Sequence, residues 1–322
     1  MTWAFIIISM VWGGLFSQIT PVPSPTIEAT IPVVEHTDSS AVFEALTQAD
    51  LSVITGNVQR PNGMIWFNDK LYVICTGDWT IYEIDSVTGV TRTYIYGVRN
   101  GHMLVAEADE RDVVTLWTPD FDTEKLLNVE TTRAAQTVSE GYENPWGIAV
   151  LDSDSFLITN LGGDSLVRAT RTGDVTLVAE GFRSPTGVAV DTDRVYIANS
   201  GSARRSIEWL DRASIEAGET VTPDALVRGL QNTSGMVLAP DGYLYFSYSL
   251  GTRGVVGRVN PSQCAESDGC DNDQVEVVLY TDLSAPLSGL TISDDMRLFV
   301  HTMFRPEIYW VQLTAATAPE SD

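Results

Sequence analysis

An all-β ring, a six-bladed β-propeller with four-stranded blades and a last blade closed by an N-terminal strand, is the fold that this 322-residue chain predicts. Three observations carry that expectation. A short motif ending in glycine recurs six times along the chain. Each copy is cut into strand-length pieces by turn residues, the spacing of an all-β fold. A fourth-strand pattern stands before the first copy, and the last copy lacks one.

The copies begin RPNGMIWFNDKLYVIC at Arg60, NPWGIAVLDSDSFLITN at Asn144 and SPTGVAVDTDRVYIANSG at Ser184. NTSGMVLAPDGYLYFSYS follows at Asn232 and PLSGLTISDDMRLFVHT at Pro286, with a degenerate copy, RNGHMLVAEADERDVVTLWTPD, at Arg99. The marker glycines Gly63, Gly101, Gly147, Gly187, Gly235 and Gly289 are spaced by 38, 46, 40, 48 and 54 residues. Propeller blades have about that length, four strands in about 40–50 residues. Inner strands crowd the axis, and glycine tolerates the close approach. Polar pairs such as DSDS, DTDR and PDG turn strand one into strand two. VTLVAEG, DALVRGL and VEVVLYT supply fourth strands.

LSVITGNV, from Leu51, has the fourth-strand pattern and is expected to complete the last blade, which removes an open sheet edge. The propeller is therefore expected over 41–314. Ahead of it, 1–19 read as a signal peptide or an N-terminal membrane anchor. WAFIIISMVWGGLF is about a signal core in length, short of the ~20 residues of a span. No basic residue precedes it and no Ala-x-Ala site follows. Residues 20–40 are a Pro/Thr/Ser-rich spacer and 315–322 a disordered tail.

The net charge of −24 repels phosphate backbones, so nucleic acid is excluded as a partner, and a membrane is expected only through the N-terminal segment. An extracellular or periplasmic location follows from the apolar leader. In that setting Cys264 and Cys270, six apart in CAESDGCDND, are expected as a disulfide, the alternative being two free surface thiols. Asp268, Asp271 and Asp273 of the same stretch are weighed as calcium ligands, without EF-hand spacing. Cys75, in LYVIC, reads as a buried strand residue.

The phrase x-Pro-x-Gly-[IVM]-[AL]-V, followed by LYV or IANSG, resembles the NHL-repeat and gluconolactonase-like propellers over about residues 50–313. That resemblance implies a six-bladed ring and, in the lactonase branch, a divalent cation held in the channel by Glu, Asn and Asp. Asn62, in PNGM, resembles that branch's asparagine-glycine step. The chain departs from the pattern elsewhere: no glutamate stands at a matching first-blade position and no aspartate directly precedes an inner-strand glycine.

Loops between strands two and three, and those leading into strand one, share the face around the channel mouth. Three candidate constellations fall there. Asn62, Asn160, Asn199, Asp78 and Asp164 offer the oxygens that Ca2+ or another divalent cation prefers, set against a role in turn capping. Arg204, Arg205, Arg253 and Arg305 lie in the equivalent loop of three successive blades, with Trp146 and Tyr248 nearby. In so acidic a chain such a rim would focus an anionic ligand, unless neighbouring acids neutralise it. His102 and His301, near inner strands, are the candidate catalytic groups, set against ordinary core histidines. Two functions follow: an exported propeller binding a small anionic ligand or a protein on its channel face, or a metal-dependent hydrolase of the lactonase type.

Overall fold

The computed structural model describes residues 44–131 and 133–313. The expected leader, spacer and tail lie outside the described residues. Those that are described form six four-stranded antiparallel sheets, so the predicted six-bladed, all-β propeller is the observed architecture. In five sheets the strands follow chain order: blade 1 over 61–96, blade 2 over 105–140, blade 3 over 145–180, blade 4 over 185–227 and blade 5 over 236–284. Blade 6 combines Gly289–Ile292, Arg297–His301 and Ile308–Gln312 with the early strand Ser52–Thr55, whose Val53 faces Tyr309. The closure read from the sequence is the one found.

The marker glycines explain the tight centre. A Cβ on Gly147 would stand 2.3 Å from the carbonyl oxygen of Thr186 in blade 4, and one on Gly187 would stand 2.5 Å from that of Ser234 in blade 5. Inner strands therefore lean on one another through backbone. Three residues before the glycine, four blades place a non-glycine residue at positive φ: Arg60, Asn144, Ser184 and Asn232, at 50–55°. Each turns the chain from one blade's outer edge to the next inner strand.

Between blades, alternate strand faces interdigitate. Tyr72, Phe156, Phe182, Tyr196, Tyr245, Phe246 and Phe299 are the bulky, fully buried aromatic members of these cores. Each of the six apolar clusters is built largely from adjacent blades; one joins Val58, Leu71 and Val73 to Phe299 and Ile308. Burial of this kind stabilises by about 1.5–3 kcal/mol for each large side chain. It is what holds the ring, because neighbouring sheets share few hydrogen bonds. No helix among the described residues is long and apolar enough to cross a membrane.

Candidate functional site

The antiparallel order puts every loop between strands two and three, and every connection to the next blade, on one face. The channel beneath it encloses a cavity of about 210 Å³. Its walls are aliphatic: Met64, Met103, Leu104, Ile148, Val188 and Met236 are representative. One imidazole, His102, and two hydroxyls, Ser288 and Thr291, interrupt them, and no charged side chain lines the cavity.

His102 follows the blade 2 glycine and lies flat on Trp146 of blade 3, ring centres 3.4 Å apart. Phe121 meets both rings edge-on. Burial pushes the imidazole pKa down to about 3, so the ring is neutral at physiological pH, and its Nδ1 has no hydrogen-bond partner. His301 lies behind Gly289 of its own blade, where a Cβ on that glycine would touch Nε2. It is fully buried, lowered to about 3 by desolvation, and neither ring nitrogen makes a hydrogen bond of good geometry. The two candidate catalytic groups are thus enclosed bases in different blades. His102 alone reaches the cavity.

Most of the oxygen-rich set is engaged in hydrogen bonds within the fold. Asn160 Oδ1 accepts the Glu143 N–H and its amide donates to Ser165. Asn199 Oδ1 accepts the Arg183 N–H, while its amide donates to the Arg205 carbonyl and to Glu208. Both are turn-fixing residues at matching ends of strand two. Asp164 accepts the Ser184 N–H and faces Arg183. The oxygens left unengaged in the set are Asn62 Oδ1 and Asp78 Oδ1; their partner atoms are held by Asn100 and Tyr82. Among the described residues no group of three or more His, Cys, Asp or Glu side chains is placed to hold a metal.

The arginine rim divides in two. Arg205 is tied to Glu208 and to the Gly181 carbonyl, and Arg253 is ion-paired with Asp282. Arg204 and Arg305 are exposed, and neither forms an ion pair with a described residue. Tyr248 is buried against Phe246 in the core between blades 4 and 5, with an edge facing a small surface hollow. Cys264 and Cys270 are joined in a disulfide. Their loop runs beside the outer strand of blade 4, where Cys270 pairs with Val227.

Two features stand outside the three candidate constellations. Glu208 is a nearly fully buried carboxylate beneath Asn199 and Arg205, and burial raises its pKa despite those two donors. Its alternating position in SIEWLD was the available signal. Three large apolar side chains stand exposed: Trp79 and Phe304 on the strand two–three loops of blades 1 and 6, and Leu250 at the end of strand two in blade 5. Bulky apolar residues in turn-rich loops were legible, but which of them would be covered was not.

No protein-family model matches the chain, and no curated protein matches its sequence. Solved structures match its fold. A gluconolactonase from Xanthomonas campestris is similar at a TM-score of 0.63 and 14% identity, over 82% of this chain and 89% of that one. Regucalcin from Agrobacterium tumefaciens, described as a calcium-binding protein, gives 0.60 and 13%, over 83% and 94%. A nidogen/laminin complex gives 0.53 and 15%, over 69% and 84%. These likenesses establish the six-bladed fold shared with gluconolactonase-like propellers. The fold carries unlike functions in those three proteins, so function is argued from the site.

Proposed function

We propose that this chain is an exported binding propeller that takes an anionic ligand or protein partner on its channel face. The observation that carries this reading is the pair Arg204 and Arg305, exposed on equivalent loops of blades 4 and 6 and paired with no described acid. In a chain of net charge −24, a cation without a partner where acids abound favours an anion from outside. The apolar leader in the sequence and the Cys264–Cys270 disulfide support export. The aliphatic channel lends itself to packing more readily than to acid–base chemistry.

Thermal melts with citrate and with a sulfated disaccharide test this. At 100-fold excess over the dissociation constant, binding to the native state stabilises by about 2.7 kcal/mol, a rise of roughly 5–10 °C for a domain of this size. The double variant Arg204→Gln/Arg305→Gln should lose the rise. An unchanged melt of the parent chain with both anions would sink the reading.

The competing reading is a hydrolase that depends on a divalent cation. Its support is the fold likeness and the two unengaged oxygens, Asn62 Oδ1 and Asp78 Oδ1. It requires a calcium-dependent rise in the melt that a chelator reverses, together with opening of a sugar lactone. Loss of both on Asn62→Ala would favour it over the anion reading.

A further inference from the structure

Resting on the anion-binding reading, we infer that the partner is a polypeptide: an acidic segment with an aromatic or aliphatic side chain, docked across the loops of blades 5, 6 and 1. Trp79 is the strongest sign. It adopts φ +57° in the turn between strands two and three of blade 1. The matching turns of blades 2 and 3 put Glu124 and Asp164 in that left-handed position. Left-handed backbone costs a bulky L-residue stability, and burial does not recover it here, because Trp79 remains 53% exposed. Neither the turn nor the core of this chain explains the residue. Strain of this kind at an exposed aromatic points to a contact made outside the chain.

In the two preceding blades Leu250 ends strand two of blade 5 beside that loop and Phe304 lies within the loop of blade 6, and they are 58% and 62% exposed. Blades 2, 3 and 4 carry Asp122, Gly162–Gly163 and Ala203–Arg204 in that loop. The apolar tips are therefore confined to one arc of three successive blades. Beside Phe304 lies a hollow of about 360 Å³ floored by the small residues Ser249, Gly251, Ser284 and Ala285, with Asn232 at its edge. A small-residue floor beside an aromatic wall suits the insertion of one side chain.

Charge selects the occupant. Arg60 and Arg305 are exposed on this arc and form no ion pair with a described residue. Arg99 lies over the Trp79 ring. Aromatic residues and arginine together are the composition of interface hot spots. A small anion would need the arginines alone. Three apolar tips on successive blades need a ligand long enough to reach several of them, and acidic enough to meet the arginines.

The test pans a random dodecapeptide display library against the full chain, then measures the selected peptides by fluorescence anisotropy. Enriched peptides should place Asp or Glu beside Phe, Trp or Leu. Their dissociation constants should rise about tenfold or more on Trp79→Ala and on Phe304→Ala, the size expected of a hot-spot truncation. Ser284→Trp, which fills the hollow, should weaken them as well. Absence of an acidic-aromatic consensus would overturn the inference, as would peptides that bind all three variants unchanged. Citrate melts on the parent chain separate the two failures. A citrate response without peptide enrichment removes the polypeptide and leaves the anion reading. Failure of both removes both.

Discussion

Blades 3 and 4 and blades 6 and 1 are built from the same motif and treat their buried polar groups differently. Behind Gly147 in blade 3, Thr159 Oγ1 accepts the glycine N–H at 2.8 Å and donates to the Thr186 carbonyl of blade 4 at 2.6 Å. Thr186 in turn donates to the Thr233 carbonyl. A relay of hydroxyls thus ties successive inner strands together. Behind Gly289 in blade 6 stands His301, neither of whose nitrogens makes a hydrogen bond of good geometry, and Thr302 Oγ1 and Asn62 Oδ1 are unpartnered. Among the described residues, no buried side-chain polar atom of blades 3 and 4 is left unpaired. Unpaired buried groups lower stability; besides His102 and Thr123 of blade 2 and Thr233 ahead of blade 5, they fall in blades 6 and 1, which also carry two of the three exposed apolar tips. One side of the ring follows the rules of a stable blade, and the other departs from them twice. Such departures are where function is expected.

The largest way to expose the difference is acid. His102 and His301 are neutral in the native state, with pKa values held near 3, and ordinary in the unfolded chain, where the reference value is 6.5. Below pH 6.5 the unfolded chain binds the extra protons. Stability therefore falls as pH drops from 6.5 toward 3, by about 1.4 kcal/mol per pH unit for each histidine. Glu208, whose pKa is raised, works in the opposite sense near its own range. Below pH 4 the exposed Asp85 and Asp109, lowered by backbone N–H bonds from Thr88 and Val113, lose their contribution too. Denaturant titrations from pH 7 to pH 4.5 should show the histidine slope, and His301→Leu should reduce it to about half.

Next in size is Thr159→Val. It leaves a backbone N–H and a carbonyl without their partner, and should cost about 2 kcal/mol or more, a fall in Tm of roughly 4–8 °C. The counterpart, His301→Leu at pH 7, removes two nitrogens that make no well-formed hydrogen bond from the equivalent place. It should change stability by less than about 1 kcal/mol. Equal losses in the two variants would erase the contrast between the blades. Smallest is Trp79→Asn, which suits left-handed backbone better and should stabilise by up to about 1 kcal/mol in a chemical melt. A destabilised Trp79→Asn would mean that the tryptophan serves the fold after all.

The ring was legible because its grammar is local. The x-Gly step, the polar turn and the paired strands recur in sequence, and even the displaced closing strand shows in LSVITGNV. The site was much less so, because its decisive contacts are not local. Arg253 meets Asp282 only because the strands Arg253–Val259 and Glu276–Ser284 pair with an irregular register. Asn199 reads as a possible ligand until Arg183 and Glu208 occupy its side chain. Trp146 could be placed near the mouth, but its stacking on His102 depends on how two blades meet. Trp79 was visible in CTGDWT. Its positive φ was not, since the same turn elsewhere takes Glu or Asp.

The shared blade also sets an order of events during synthesis. Ser52–Thr55 leaves the ribosome early, yet its pairing partner Ile308–Gln312 is made last. Until then the first-made strand has no sheet, and the edge of blade 1 that faces Phe299 and Ile308 is bare. Closure of the ring joins the two ends of the fold across about 250 residues of chain, a contact of high loop-closure cost that is slow to form.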